Sequence, residues 1–372
     1  MAASDQSHDA RFMALALALG RRGLGRAWPN PAVGAIVVRN EGPEPVIVGR
    51  GWTQPGGRPH AESEALRRAG AAARGATLYV TLEPCSHHGK TPPCADAVIQ
   101  SGVARVVSAL EDPNPEVAGA GHRRLAESGI TVDIGVEADE ARRAHAGHIR
   151  RVRDGRPHVM LKLAVSADGK AGLAGRRPAP ITGDAARARV HRMRAQNDAV
   201  LTGIGTALAD DPLLTCRLPG MANRSPVRVL LDGKLRLPLD TRLIATAREA
   251  PLWIVTSEGA PTQHEQVLRA KGAEVFRLPD SSGKLDLSAV LKLLAARGIT
   301  RLMVEAGPII CAAFLEADLV DQAMLLRSPN ILGEGIGALE GLPLEALTQS
   351  PRLVVAGSEQ IGPDKAEFFQ RP

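Results

Sequence analysis

The densest chemical signal in this sequence is His60-Ala61-Glu62, followed by Pro84-Cys85 and then Cys94. A catalytic zinc takes three protein ligands and leaves its fourth position to water, and one imidazole with two thiolates meets that demand. A carboxylate two residues past the histidine is placed to carry a proton from the attacking water to a leaving group. The residue types therefore point to metal-assisted hydrolysis, with Glu62 as general acid and base. Two plainer readings use the same residues: a buried histidine beside two ordinary thiols, or a structural zinc closed by His87 or His88. Structural sites usually show paired short spacings and need no glutamate, which favours catalysis.

A second set of chemical residues lies beyond position 156. Gly203 and Gly205 follow an apolar run and let backbone amides approach a diphosphate, while Arg194 and Arg217 offer forked cations to a phosphate. Alone, a G-x-G usually marks a turn. The fingerprint G-x-G-x-x-G with an acid about 20 residues on is missing, so a Rossmann domain is not expected.

Positioning these groups takes alternating helices and strands. Residues 8–22 repeat apolar positions at helical spacing (Phe12, Leu15, Ala16, Leu19), which predicts an opening amphipathic helix. Residues 33–38 read as a strand, and 45–51 as a second apolar run after a Gly-Pro turn, giving a hairpin. Helix 60–68, strand 77–82, a helix from Cys94, strand 104–110, helix 118–127 and strand 130–134 follow. They predict an α/β layer on a largely parallel sheet. The metal-ligand groups then fall at helix starts, where the positive dipole end stabilises thiolates.

Residues 138–156 are charged and helical in character, and Gly155-Arg156-Pro157 breaks them before an apolar strand at 159–165. The domain boundary is placed there, giving domains 1–155 and 156–372. The second half again alternates, with helices at 184–196, 262–271, 287–297 and 309–317. Its strands are expected at 199–201, 227–231, 252–255, 274–278, 301–304 and 322–326. No internal repeat relates the halves.

A chain of 372 residues exceeds the usual single-domain range, and 44% apolar with 23% charged residues is a globular balance. Aromatic residues make up only 2%, so Ala, Leu, Val and Ile must pack the cores. The net charge of +6 comes largely from arginines spread over helices and favours anionic small molecules; without a basic block interleaved with aromatics, nucleic acid is not an expected partner. The first ten residues lack a signal pattern and no apolar run approaches the roughly 20 residues that cross a bilayer. A cytoplasmic protein without membrane contact is expected. Four cysteines in a chain this long suit metal or thiol roles better than a disulfide framework.

His-x-Glu with Pro-Cys and a following cysteine resembles the signature of zinc deaminases. Eight residues separate Cys85 from Cys94, where cytidine and tRNA-adenosine deaminases have two. The insertion Ser86-His87-His88-Gly89-Lys90-Thr91-Pro92-Pro93 is similar to that of the riboflavin-biosynthesis deaminases, which act on a phosphoribosylated diaminopyrimidine. Pro29-Asn30-Pro31, Thr81-Leu82-Glu83-Pro84-Cys85 and Asp112-Pro113-Asn114-Pro115 match the same family. The resemblance implies that Asn30, His87, Lys90, Asp112 and Asn114 surround the base or its ribose phosphate. Thr53 departs from it, standing where many members have a histidine. Trp28 and Trp52 flank these motifs and suit either stacking on the pyrimidine or packing.

This family most often fuses its deaminase to an NADPH-dependent reductase that resembles dihydrofolate reductase in fold. Lys162, Ala164, Ser166, Asp168 and Gly169 fit the reductase pattern K-x-A-x-S-x-D-G, with Ala167 in place of the usual leucine. Arg194, Gly203-Ile204-Gly205-Thr206, Asp210-Asp211-Pro212, Leu214-Thr215 and Arg217 follow in the family order, then Val304-Glu305-Ala306-Gly307-Pro308, Ser328-Pro329 and Leu332-Gly333. The resemblance implies Lys162 and Glu305 near the reacting sugar, with Arg194, Leu214 and Arg217 on substrate. It places Ala164, Thr206, Asp210, Gly307 and Pro308 on the cofactor.

Pro178 and Pro180 replace the usual serine and tryptophan before Ile181-Thr182, so those side-chain contacts cannot exist here and backbone groups or Arg176 and Arg177 would have to substitute. The expected fold is α/β: an N-terminal cytidine-deaminase-like three-layer domain and a C-terminal dihydrofolate-reductase-like domain. Zinc and NADPH are the implied cofactors, a phosphorylated pyrimidine the substrate, and a homo-oligomer the expected assembly. The competing readings are a nucleoside or tRNA deaminase with an unrelated nucleotide-binding domain, and a scaffold protein with a structural zinc. The wide cysteine spacing opposes the first and Glu62 the second.

Overall fold

Alanine and glycine set the spacing of the first layer of this chain, because with few aromatics its helices must lie close to the sheet. The computed structural model describes residues 3–40, 44–87, 92–177, 179–281 and 284–372. Lys90 and Pro178, with His88, Gly89 and Thr91, lie outside the described residues. The chain divides into two compact units, Met1–Arg156 and Pro157–Pro372.

The first unit runs α1 (Ala3–Gly20), β1 (Gly34–Arg39), β2 (Val46–Trp52), α2 (Ala61–Ala69), β3 (Thr77–Val80), α3 (Cys94–Ser101), β4 (Arg105–Ser108), α4 (Ala120–Glu127), β5 (Thr131–Ile134), α5 (Ala138–Ala144) and α6 (Ala146–Asp154). Its sheet has the order β2-β1-β3-β4-β5. The expected largely parallel sheet is corrected here to a mixed one. β1 pairs antiparallel with both β2 and β3, and only β3-β4 and β4-β5 are parallel. The six residues between the end of β1 and the start of β2 are too few for a parallel crossover, which forces the first antiparallel pair. Helices cover both faces: Ala61, Ala65, Ala95 and Val98 pack on one, Phe12, Met13, Ala16 and Ala141 on the other. A Cβ at Gly51 would lie 2.1 Å from the Ala61 carbonyl oxygen, so glycine there lets α2 seat directly on β2.

The second unit runs β6 (His158–Val165), β7 (Lys170–Leu173), α7 (Asp184–Gln196), β8 (Ala199–Gly203), α8 (Ile204–Asp210), β9 (Val227–Leu231), α9 (Arg242–Ala245), β10 (Leu252–Ser257), α10 (Thr262–Ala270), β11 (Glu274–Leu278), β12 (Asp280–Ser281) and β13 (Lys284–Leu285). It continues with α11 (Leu287–Ala296), β14 (Arg301–Val304), α12 (Pro308–Glu316), β15 (Gln322–Arg327), β16 (Gly335–Gly337), α13 (Glu345–Thr348), β17 (Val354–Ile361) and β18 (Asp364–Gln370).

Nine strands form its main sheet in the order β11-β10-β9-β8-β14-β6-β15-β18-β17. The strands from β11 to β15 are parallel; β18 and β17 add an antiparallel hairpin at one edge. β8, β9 and β10 are buried along their whole length, as expected of central parallel strands covered on both faces. Parallel pairing brings the carboxyl ends of β6, β8 and β14 together, and in such sheets ligands bind outside those ends.

Candidate active sites

In the first unit, three separate segments deliver the expected metal ligands. His60 is the extended residue preceding α2, Cys85 lies in the loop after β3, and Cys94 opens α3. The His60 Nδ1 atom is 3.2 Å from Cys94 Sγ and 3.7 Å from Cys85 Sγ. A tetrahedral zinc with bonds of about 2.0–2.3 Å separates its ligand atoms by about 3.5–3.8 Å; the 3.7 Å pair matches this, the 3.2 Å pair is slightly closer, and one imidazole with two thiolates is a donor set that suits the ion. The Cys94 amide, at the positive end of α3, donates to Cys85 Sγ at 3.3 Å. Hydrogen bonds from Cys94 and His60 draw Cys85 down to about 4, while the same pairing and burial push Cys94 well up.

Glu62 lies in the first turn of α2, 3% exposed, and burial pushes its carboxyl up to about 7. It shares a cavity of about 200 Å³ with His60, Cys85, Asn30, His87, Asp112 and Asn114, so the described members of the expected deaminase site lie together. Asn30 does more than line the wall. Its Nδ2 donates to the Gly57 carbonyl at 2.9 Å and stands 3.0 Å from His60 Nε2, so the side chain packs against the edge of the ring opposite the thiols.

The cavity floor is organised by Glu83, whose role sequence reasoning missed although the residue sits within a matched motif. Its buried carboxylate accepts amide hydrogens from Asp112 (3.1 Å), Gly119 (2.9 Å), Gly121 (2.8 Å) and His122 (3.3 Å). One side chain next to Cys85 thus folds the whole 112–122 segment against the zinc loop. Glu83, Glu111 and His122 approach one another closely enough to suggest a second metal group, but Glu83 already spends both oxygens on amides.

Two flanking features behave differently. The Thr53 hydroxyl accepts the Val33 amide at 3.0 Å, so this departure from the family pattern is bound to the backbone while lining the cavity. Trp52 sits between the Arg22 and Arg68 guanidinium groups, 4.4 and 5.3 Å from its ring centre, and neither it nor Trp28 lines the cavity.

In the second unit, a cavity of about 680 Å³ opens at the carboxyl ends of the central strands. It is lined by Lys162, Ala164, Arg194, Thr206, Asp210, Leu214, Arg217, Glu305, Gly307 and Pro308, all residues expected at substrate or cofactor. An adjoining cavity of about 350 Å³ shares Thr206, Asp210, Gly307 and Pro308 and adds Gly203 and Gly205. The space beside Gly205 is open, with no atom within 4 Å of where a Cβ would stand. Hydroxyl, carboxylate and glycine backbone together suit a dinucleotide.

Arg194 is not a free phosphate fork. Its Nε and Nη2 donate to Glu305 at 2.9 and 2.6 Å, and its Nη1 donates to the Thr215 carbonyl at 3.1 Å. Burial would raise the Glu305 carboxyl, but Arg194, with Lys162 and His191, overrides it and holds the group down at about 2. Leu214 adopts a left-handed backbone (φ 55), which turns Thr215 toward Arg194 and toward His191 Nδ1, 3.0 Å away. His191, one helical turn before Arg194, was missed; that spacing was its only signal.

Asp168 takes a structural part. It accepts from Ser166 Oγ (2.6 Å) and from the amides of Leu332 (3.1 Å) and Gly333 (2.8 Å), and the Ser166 bond comes first in drawing it down to about 2. Two distant sequence motifs thereby clasp each other. Pro180 lines the larger cavity and Arg177 the smaller.

The family described as "RibD C-terminal domain" matches residues 157–366, and "Cytidine and deoxycytidylate deaminase zinc-binding region" matches residues 6–110. Riboflavin biosynthesis protein RibD of Escherichia coli (strain K12) is 40% identical over 368 residues, covering 96% of this chain and 97% of that protein. That of Aquifex aeolicus (strain VF5) is 39% identical, covering 98% of each. Among solved structures, Acinetobacter baumannii RibD superposes with a TM-score of 0.87 at 35% identity over 99% of both chains. A diaminohydroxyphosphoribosylaminopyrimidine deaminase/5-amino-6-(5-phosphoribosylamino)uracil reductase from Thermotoga maritima gives 0.85 at 35% identity, over 99% of this chain and 100% of its own.

Proposed function

The chain belongs to the RibD family of riboflavin-biosynthesis enzymes, and from that premise we propose which of its residues carry each reaction. The enzyme is bifunctional, with a zinc-dependent deaminase and an NADPH-dependent reductase. Its substrate is 2,5-diamino-6-ribosylamino-4(3H)-pyrimidinone 5′-phosphate, which it deaminates before reducing the ribosyl group of the product, 5-amino-6-(5-phosphoribosylamino)uracil. We assign the deaminase to residues 1–155 and the reductase to 156–372.

For deamination, His60, Cys85 and Cys94 would hold the zinc, which when bound would supply a Lewis acid to activate water. Asn30 orients His60. Glu62, kept protonatable by burial, takes the two protons of the attacking water in turn, giving one to the ring nitrogen and the other to the departing ammonia. His87, Asp112, Asn114 and Lys90 hold the base and its ribose phosphate.

For reduction, NADPH supplies a hydride to the ribosyl carbon, and the protein supplies position and charge. Ala164, Thr206, Asp210, Gly307 and Pro308 seat the cofactor. Glu305, fixed as an anion by Arg194, and Lys162 face the sugar, with Leu214 beside it. Arg217, whose neighbour Arg194 is engaged with Glu305, takes the phosphate.

The observation that carries the assignment is the His60–Cys85–Cys94 cluster, with His60, Cys85 and the buried Glu62 lining one cavity. Mass-resolved turnover of the diaminopyrimidine phosphate tests it: deaminated product without NADPH, deaminated and reduced product with it. Unchanged substrate in both arms, from zinc-loaded protein, would refute it.

Further, we infer a cytoplasmic location, consistent with reduced thiols as metal ligands, and a homo-oligomer, for which sedimentation is the test. No helix among the described residues is long and apolar enough to cross a membrane.

A further inference from the structure

Asp112 lies on the wall of the deaminase cavity, 8% exposed, and is fixed from three directions. Its own amide donates to Glu83 at 3.1 Å. Its Oδ1 accepts the Asn114 amide at 2.9 Å and faces His148 Nε2, also at 2.9 Å. The last contact comes from α6, a helix whose residues played no part in the motif reading.

A carboxylate oxygen can only accept, so His148 Nε2 carries the hydrogen. Its Nδ1 is buried without a partner among the described atoms, so the bond to Asp112 is the one hydrogen bond of the ring among them. His148 itself lines the same cavity. With Oδ1 occupied by two donors, the carboxylate cannot rotate freely, and its second oxygen is held in one orientation. An acceptor fixed in this way suits the amino and hydroxyl donors of a ribosylated aminopyrimidine.

We propose that His148 is a positioning residue of the deaminase, holding Asp112 as an oriented acceptor for the substrate. This rests on the assignment of Asp112 to substrate binding. The arrangement spends a histidine on orientation rather than on proton transfer, and it ties the end of the first unit to its cavity.

A double-mutant cycle in the full-length, zinc-loaded enzyme tests it, with Asp112→Asn, His148→Leu and the pair. His148→Leu should raise KM for the diaminopyrimidine phosphate by on the order of tenfold or more, the effect of losing a hydrogen bond to a charged group, with a smaller change in kcat. Zinc content and NADPH-dependent reduction of supplied deaminated intermediate should match the parent. His148→Gln, whose amide can still donate, should recover much of the loss, and it keeps the test open if the leucine variant fails to fold. The double variant should bind no worse than the weaker single one, since both changes break one contact.

If Asp112→Asn raises KM and His148→Leu does not, the proposal falls while the Asp112 assignment stands. If Asp112→Asn itself leaves KM unchanged, that assignment fails and the proposal with it. Additive effects, or no rescue by glutamine in a well-folded protein, would equally overturn it.

Discussion

Glu62 is a buried carboxylate and Glu305 a partly buried one, and their neighbours drive them apart. Burial dominates at Glu62 and raises it to about 7, whereas at Glu305 the Arg194 guanidinium outweighs burial and lowers it to about 2. The first can exchange a proton near neutrality and the second remains an anion. Because the folded-state value of Glu305 lies below the roughly 4.3 of an unfolded glutamate, its contribution to stability is fully present above that pH and is lost as pH falls toward 2. Denaturant unfolding of Glu305→Gln should therefore show a shallower loss of stability across this window than the parent; an identical slope would contradict the pairing. Glu83 makes a different case, since its value lies in geometry. Glu83→Gln places an amide group against backbone N–H donors and should destabilise the 112–122 segment by on the order of 2–3 kcal/mol. Hydrogen exchange at Gly119 and Gly121 should accelerate, and an unchanged exchange rate would remove Glu83 from this role.

At the scale of elements, the zinc site depends on how closely α2 approaches β2. His60 precedes α2 and Glu62 lies in its first turn, so any shift of that helix moves ligand and proton carrier together. Gly51→Ala would set a methyl carbon 2.1 Å from the Ala61 carbonyl and must push the helix outward. A loss of about 1–3 kcal/mol is expected, as for other overpacked cores, together with reduced zinc retention during dialysis. Full zinc occupancy at parental stability would show that α2 can adapt. The same level explains where periodicity misled. The antiparallel start of the first sheet follows from its hairpin, but the placement of β3 beside β1 depends on a crossover that α2 makes in space. The terminal hairpin β17–β18 was not foreseen, because the residues of β17 are largely exposed and carry little apolar alternation.

For the whole molecule, the residues of the two sites belong to separate compact units, which makes the chemistries separable. Glu62→Gln should lower deamination by about 10²–10⁴-fold, the usual cost of losing a general acid and base, while reduction of supplied intermediate continues near the parental rate. Lys162→Ala should deaminate normally and accumulate the deaminated intermediate. Matching zinc content and circular dichroism would establish that both variants fold, and a joint loss of activities in Glu62→Gln would mean that the sites are shared or coupled.

Residue types and their order along the chain pointed to the His60–Cys85–Cys94 cluster with a glutamate beside it, the α/β alternation and the ordered motifs from Lys162 to Gly333. Each of these is written locally, in spacing or in a short pattern, and needs no knowledge of which strands become neighbours. Only tertiary structure decided that Arg194 is engaged by Glu305, 111 residues away, that Glu83 gathers amides from 112–122, and that His148 reaches Asp112 across 36 residues. Such pairings depend on sheet order and helix seating. A buried carboxylate must find donors somewhere, but the sequence does not say which chain segment will bring them.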